Sequence, residues 1–120
     1  MSKEQTYNSS CHCGKMRAKV TVDLSAQPAL VCNCSICNRT GMMLRFLSPD
    51  KVEVLSSDGA SDYQFGKKNI HHLFCSNCGV RPWGRGKGAD GQDMFAINLR
   101  CLDDFDPQSV QVTHFDGKSR

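Results

Sequence analysis

The sequence predicts a small, mainly β domain of short antiparallel strands, with metal knuckles in place of a large core. Three observations carry this. Apolar residues recur at a period of two wherever a period is visible, as in "KMRAKVTVD". Only one stretch looks helical, and it lasts barely a turn. Seven of the eight cysteines fall into tight groups along 120 residues, a length that suits one domain over 1–120.

The elements follow in chain order. Residues 1–9 are polar and are expected to form a flexible N-terminal segment. In the first strand Met16, Ala18, Val20 and Val22 share one face, and Lys15, Arg17, Lys19 and Thr21 share the other. "MMLRFL" and "KVEVL" read as two further strands joined by the turn Ser48-Pro49-Asp50. "DYQF" reads as a short strand after the turn Asp58-Gly59, and "NIHHLF" as a strand running into Cys75. "DMFAINL" and "SVQVTHF" close the chain as strands. "SICNRTG" is the single helical turn, ended by Gly41. Gly84 to Gly91 reads as a flexible loop and a candidate lid; it lacks the Lys-Ser/Thr of a phosphate cradle.

Composition limits the function. No apolar run approaches the ~20 residues of a membrane span, and the N-terminus has no apolar leader. The net charge of +3 is small, and basic residues are interleaved with acidic ones, so neither nucleic acid nor a membrane is an expected partner. Dense cysteine without a leader points to a reducing, cytoplasmic setting and to metal or catalysis rather than disulfides.

The cysteine spacing specifies the chemistry. Cys75-Ser-Asn-Cys78-Gly79 has the form of a zinc knuckle: a tight turn aims two sulfurs at one point, and glycine lets the backbone leave. Its natural partners are Cys11 and Cys13, giving a closed four-thiolate structural site. A redox-active pair is the rival for this motif, but it prefers a βαβ setting that is not visible here. Cys32, Cys34 and Cys37 remain together, with Cys101 far along the chain. Either Cys101 or a histidine closes a second structural site, or the fourth position stays open to water or substrate. Three thiolates around zinc form an electron-rich centre. Such a centre suits an incoming thiol, which becomes an activated nucleophile for a small aldehyde.

Taken in order, Cys11-His-Cys13-Gly14, Cys32-Asn-Cys34-Ser35-Ile-Cys37 and Phe74-Cys75-Ser-Asn-Cys78-Gly79 resemble the pattern of the glutathione-dependent formaldehyde-activating enzyme family. The resemblance spans residues 11 to about 101. It implies a zinc β-tent fold with two Zn2+ per chain. Cys11, Cys13, Cys75 and Cys78 would hold the structural ion, and Cys32, Cys34 and Cys37 the catalytic one. It also implies a carbon–sulfur lyase that reversibly joins glutathione and formaldehyde as S-hydroxymethylglutathione. The rival from another class is an interaction module with two closed metal sites and no catalysis.

Other residues are read more plainly. Cys101 is expected to be a small buried residue rather than a ligand. His12 is expected to point outward between two ligands. His71 and His72 alternate faces, and one near the open site could accept a thiol proton, but a strand histidine is more often simply packed or exposed and neither is named as catalytic. Arg39, Arg45, Arg81 and Arg85 are candidate partners of a thiolate centre or a carboxylate, and the sequence does not rank them. Trp83 and Phe46 are expected in the core or in a pocket wall.

Overall fold

A computed structural model describes residues 4–66, 70–88 and 90–119. Met1 to Lys3 of the expected flexible segment, Asn69 at the start of the expected "NIHHLF" strand, and Ala89 of the expected loop lie outside the described residues. Among the described residues the strands form two sheets. The smaller has the order β1-β2-β5, with β1 at Gln5–Ser10, β2 at Met16–Val22 and β5 at Val52–Ser57. The larger has the order β10-β3-β4-β9-β8-β7-β6. Its strands are β3 (Ala29–Cys32), β4 (Leu44–Leu47), β6 (Ala60–Tyr63), β7 (His71–Cys75), β8 (Trp83–Lys87), β9 (Asp93–Asn98) and β10 (Val112–Phe115). The one helix with α geometry, α1, spans Ser35–Thr40 and ends at Gly41, as its sequence predicts.

The core lies between the sheets. Met16, Ala18, Val20 and Val22 of β2 are all at most 1 % exposed and pack in one cluster with Trp83 and Ile97 of the larger sheet and with Leu99 in the turn that follows β9. Arg17 and Lys19 on the opposite face are exposed. The period of two in β2 thus marks the buried face, and Met16, Val20 and Val22 each contribute about 1.5–3 kcal/mol by leaving water. β5 is an edge strand with Val54 and Leu55 exposed. Its register against β2 shifts between Arg17 and Ala18, a bulge that twists the open edge.

Four sequence expectations are corrected. Residues 5–9 are not a free tail: β1 pairs with β2 from Gln5↔Val22 to Ser10↔Arg17, so the backbone ladder of β2 orders a polar segment. β3 was not anticipated; its four residues carry too little pattern to stand out. The expected loop from Gly84 to Gly91 starts later: Gly84 to Lys87 belong to β8, paired with β9 from Trp83↔Ile97 to Lys87↔Asp93, and the connection is the turn beyond, where Gly91 N donates to Gly88 O at 3.0 Å. Glycine is required within β8 because a Cβ on Gly84 would meet the His71 carbonyl oxygen at 2.9 Å. "SVQVTHF" is extended only over Val112–Phe115, and it pairs parallel to β3, whereas the other strand pairs are antiparallel. Among the described residues no helix is long and apolar enough to cross a membrane.

Candidate metal centres

The first centre joins the two sheets. Cys11 and Cys13 sit in the turn between β1 and β2, while Cys75 is the last residue of β7 and Cys78 lies in the turn that follows it. Their four sulfurs lie within 4.8 Å of one another. Cys11 Sγ is 3.7 Å from Cys13 Sγ, which is 3.6 Å from Cys75 Sγ. A tetrahedron with zinc–sulfur bonds of about 2.3 Å has edges of about 3.8 Å, so the spacing fits zinc and is far too long for a disulfide.

The backbone is arranged for thiolates. Met16 N donates to Cys11 Sγ at 3.3 Å, and Cys78 N to Cys75 Sγ at 3.4 Å. The knuckle closes through Gly79 N donating to Cys75 O at 2.7 Å, with Gly79 at φ 81°, where only glycine is unstrained. The Cys13 thiol is lowered to about 6 by the Asn77 side chain and the Lys15 backbone N–H.

The second centre holds Cys32, Cys34 and Cys37, again with sulfurs within 4.8 Å of one another. Cys32 ends β3, and Cys34 and Cys37 enter and occupy α1, so a strand end and one helical turn converge on a point. Cys34 N donates to Cys32 Sγ at 3.4 Å. Cys37 is pushed up to about 12 by burial and by the neighbouring Cys34. Three sulfurs alone are a set that binds zinc while leaving a position open. Among the described residues no histidine, carboxylate or further cysteine completes this cluster.

Cys101 does not complete it. Its thiol is raised to about 11 by burial and by the charges of Cys11 and Cys78, which places it beside the first centre. There it meets Asn98 Nδ2 at 3.6 Å and the Arg81 carbonyl at 3.9 Å. It is a packed thiol, as its sequence context suggests, and the closed-site rival loses that ligand.

One side of the three-cysteine cluster is covered by the chain itself. A Cβ on Gly117 would lie 2.6 Å from Cys32 Sγ and 3.3 Å from Cys34 Cβ. Asn33 fastens this covering segment. Its N–H donates to Phe115 O at 3.2 Å, its Nδ2 to Asp116 Oδ1 at 3.0 Å, and its Oδ1 accepts from Lys118 N at 2.9 Å. Sequence reasoning did not find Gly117, because nothing local marks a glycine that meets residues more than eighty positions away.

The other side opens on a cavity of about 260 Å³. Its walls come from β3, β4, β8 and β9 and include Leu30, Leu44, Phe46, Trp83 and Ala96. Trp83 is both core and wall, while Phe46 stands half exposed at the mouth. Among the described residues, two titratable side chains other than cysteine line it, His72 and Arg81. Arg81 Nε is buried with no hydrogen-bond partner among the described residues. Burial lowers the Arg81 pKa, opposed by the charge of Cys37. His72 is lowered by burial and by Arg81, so its imidazole is neutral at neutral pH.

The structure ranks the arginines that the sequence could not. Arg39 Nη1 turns back onto Ser35 O of its own helix at 2.8 Å. Arg45 is buried away from the cavity and donates to the carbonyls of Asp23 and Gln27 at 3.0 and 3.3 Å. Arg85 lies over the Phe95 ring at 5.5 Å. Arg81 alone of the four lines the cavity with the three cysteines.

Comparison with known proteins agrees with this geometry. The family described as "Glutathione-dependent formaldehyde-activating enzyme" matches residues 6–116. No curated protein matches the chain. Among solved structures, the crystal structure of a Rhodobacter sphaeroides protein is similar in fold, with a TM-score of 0.75 and 24 % identity. The match covers 88 % of this chain and 99 % of that one.

Proposed function

We propose, from the premise that this chain belongs to the glutathione-dependent formaldehyde-activating enzyme family, that it is a zinc-dependent carbon–sulfur lyase. It would reversibly join a glutathione-like thiol to a small aldehyde. The observation that carries the reading is the three-cysteine cluster, with no fourth protein ligand among the described residues, facing a cavity. Cys32, Cys34 and Cys37 would hold the working ion, and Cys11, Cys13, Cys75 and Cys78 the structural one. Zinc bound by Cys32, Cys34 and Cys37 would supply a Lewis acid that favours the thiolate form of an incoming thiol.

The chain's own residues do the rest. His72, neutral and in the same cavity, is the candidate acceptor of the thiol proton. The thiol sulfur adds to the carbonyl carbon, and the C=O π pair moves onto oxygen. Arg81 stands ready for that oxyanion, since its buried Nε has no partner among the described residues and guanidinium donors act strongly in a dry site. The proton returned to the oxygen completes the hydroxymethyl thioether, and the reverse sequence releases aldehyde and thiol. The apolar walls exclude water and strengthen each of these contacts.

The test is exchange NMR on glutathione, formaldehyde and their adduct with reduced, zinc-loaded protein. The expected result is interconversion faster than the uncatalysed exchange and its loss in Cys34→Ser. Full turnover by Cys34→Ser, in protein whose first site stays filled, overturns the reading.

A further inference from the structure

The cavity is too large and too apolar for formaldehyde alone. At about 260 Å³ it exceeds the ~150 Å³ at which an apolar protein cavity already takes up benzene. Formaldehyde has two heavy atoms and no apolar part to set against these walls. Glutathione carries two carboxylates and an ammonium, and among the described residues Arg81 is the single formal charge besides the thiols in the lining. The polar arms of the thiol therefore belong outside, with its sulfur at the cysteine end. The mouth is rimmed by Phe46, Phe65 and Ile70, which are 48, 44 and 50 % exposed. Phe65 stacks on His72 with ring centroids 5.3 Å apart, so the apolar surface runs from the rim to the candidate proton acceptor. Exposed apolar surface gathered around a pocket mouth marks a binding site more often than scattered apolar residues do.

We propose that the carbonyl substrate of this chain carries an apolar side chain that fills this cavity, as in an arylacetaldehyde or a branched aldehyde of about six to nine heavy atoms. The assignment rests on the thiol–aldehyde reading above. The reaction needs no further reagent: the thiol S–H bond breaks, an S–C bond forms at the carbonyl carbon, and the proton ends on the former carbonyl oxygen.

Two measurements test it, one without chemistry. 2-Phenylethanol, which has no carbonyl and needs no thiol or turnover, is titrated into the zinc-loaded protein by protein-observed NMR. Saturable binding that shifts the Trp83 resonances is expected, weakened at least tenfold in Ala96→Phe, which fills the cavity from β9. Zinc stoichiometry and circular dichroism check that this variant is folded. In parallel, glutathione with phenylacetaldehyde is compared with glutathione and formaldehyde. A kcat/KM at least tenfold higher for phenylacetaldehyde is expected, since each added methylene in an apolar pocket discriminates by about 10–200-fold.

No saturable phenylethanol binding, or equal binding by Ala96→Phe, overturns the proposal and leaves the thiol–aldehyde reading intact if formaldehyde turns over. A preference for formaldehyde overturns it too. Faster reaction of formaldehyde with benzyl mercaptan than with glutathione assigns the cavity to the thiol instead and likewise overturns it. If neither aldehyde reacts although phenylethanol binds, the thiol–aldehyde reading falls and takes this substrate class with it.

Discussion

Gly117→Ala adds a single methyl group, and the structure fixes where it goes. Its Cβ would sit 2.6 Å from Cys32 Sγ, whereas ordinary contact begins near 3.4 Å, so something must move by about 0.8 Å. A zinc ligand tolerates about 0.2 Å, so Cys32 cannot give way and remain a good ligand. The alternative is for the covering segment to lift, against three hydrogen bonds from Asn33. These are exposed and contribute about 0.5–1 kcal/mol each. Either route costs on the order of 1–3 kcal/mol, the usual cost of overpacking. That corresponds to a loss of zinc affinity between about fivefold and 150-fold at the second centre, with the first unchanged. The assay is competition with a chromophoric chelator, read as two separate zinc equivalents per chain. Second-site affinity within twofold of wild type would refute the reasoning, and with it the claim that Gly117 is there to let the chain approach the cysteines.

Three further predictions follow from the same structure. Arg81→Met is expected to keep both zinc equivalents and lower kcat/KM about 10²–10³-fold, as removal of an oxyanion donor does; a loss under threefold removes Arg81 from the chemistry. Cys78→Ser breaks the four-sulfur set that ties the sheets, so Tm in thermal unfolding is expected to fall by roughly 10 °C or more, and an unchanged Tm would show that the first centre is not structural. Cys101 titrates near 11 when folded, above its ordinary value of 9.0, so the folded state holds this proton more tightly. Its contribution is complete below pH 9 and is lost as pH rises towards 11, on the order of 2 kcal/mol. Urea unfolding at pH 8 and pH 10.5 should show this alkaline slope, and Cys101→Ala should flatten it.

How much of this was legible in the sequence depends on how local each signal is. The cysteine groups could be read because pairs with one or two residues between them fix which sulfurs can converge. β2 could be read because one of its faces is buried and the other exposed. β1 could not, since "QTYNSS" owes its extended form to the backbone of β2 rather than to its own side chains. "WGRGK" resembles a loop because its glycines serve a neighbouring strand, not a turn. The cavity was invisible for a further reason: Leu30, Phe46, Trp83 and Ala96 become neighbours only when β3, β4, β8 and β9 are laid side by side. Arg81 was named among four arginines, and only burial beside the thiols distinguishes it.

The knuckle that joins the two sheets also bears on how the chain reaches this shape. Cys13 and Cys75 meet across 62 positions. Closing so long a loop costs on the order of 4 kcal/mol of chain entropy before any other contact compensates. Contacts of such separation slow the search for the native topology. A metal ion captured by one cysteine pair and then the other would offset that cost early, so metal supply is expected to set the pace of maturation as well as the final stability. A nascent chain short of zinc would linger with the β5 edge, Val54 and Leu55 included, not yet twisted into place beside β2. An unprotected edge of that kind is where self-association begins. Zinc limitation during synthesis should therefore appear first as a shift of this protein into the insoluble fraction, ahead of any deficit in the specific activity of what remains dissolved.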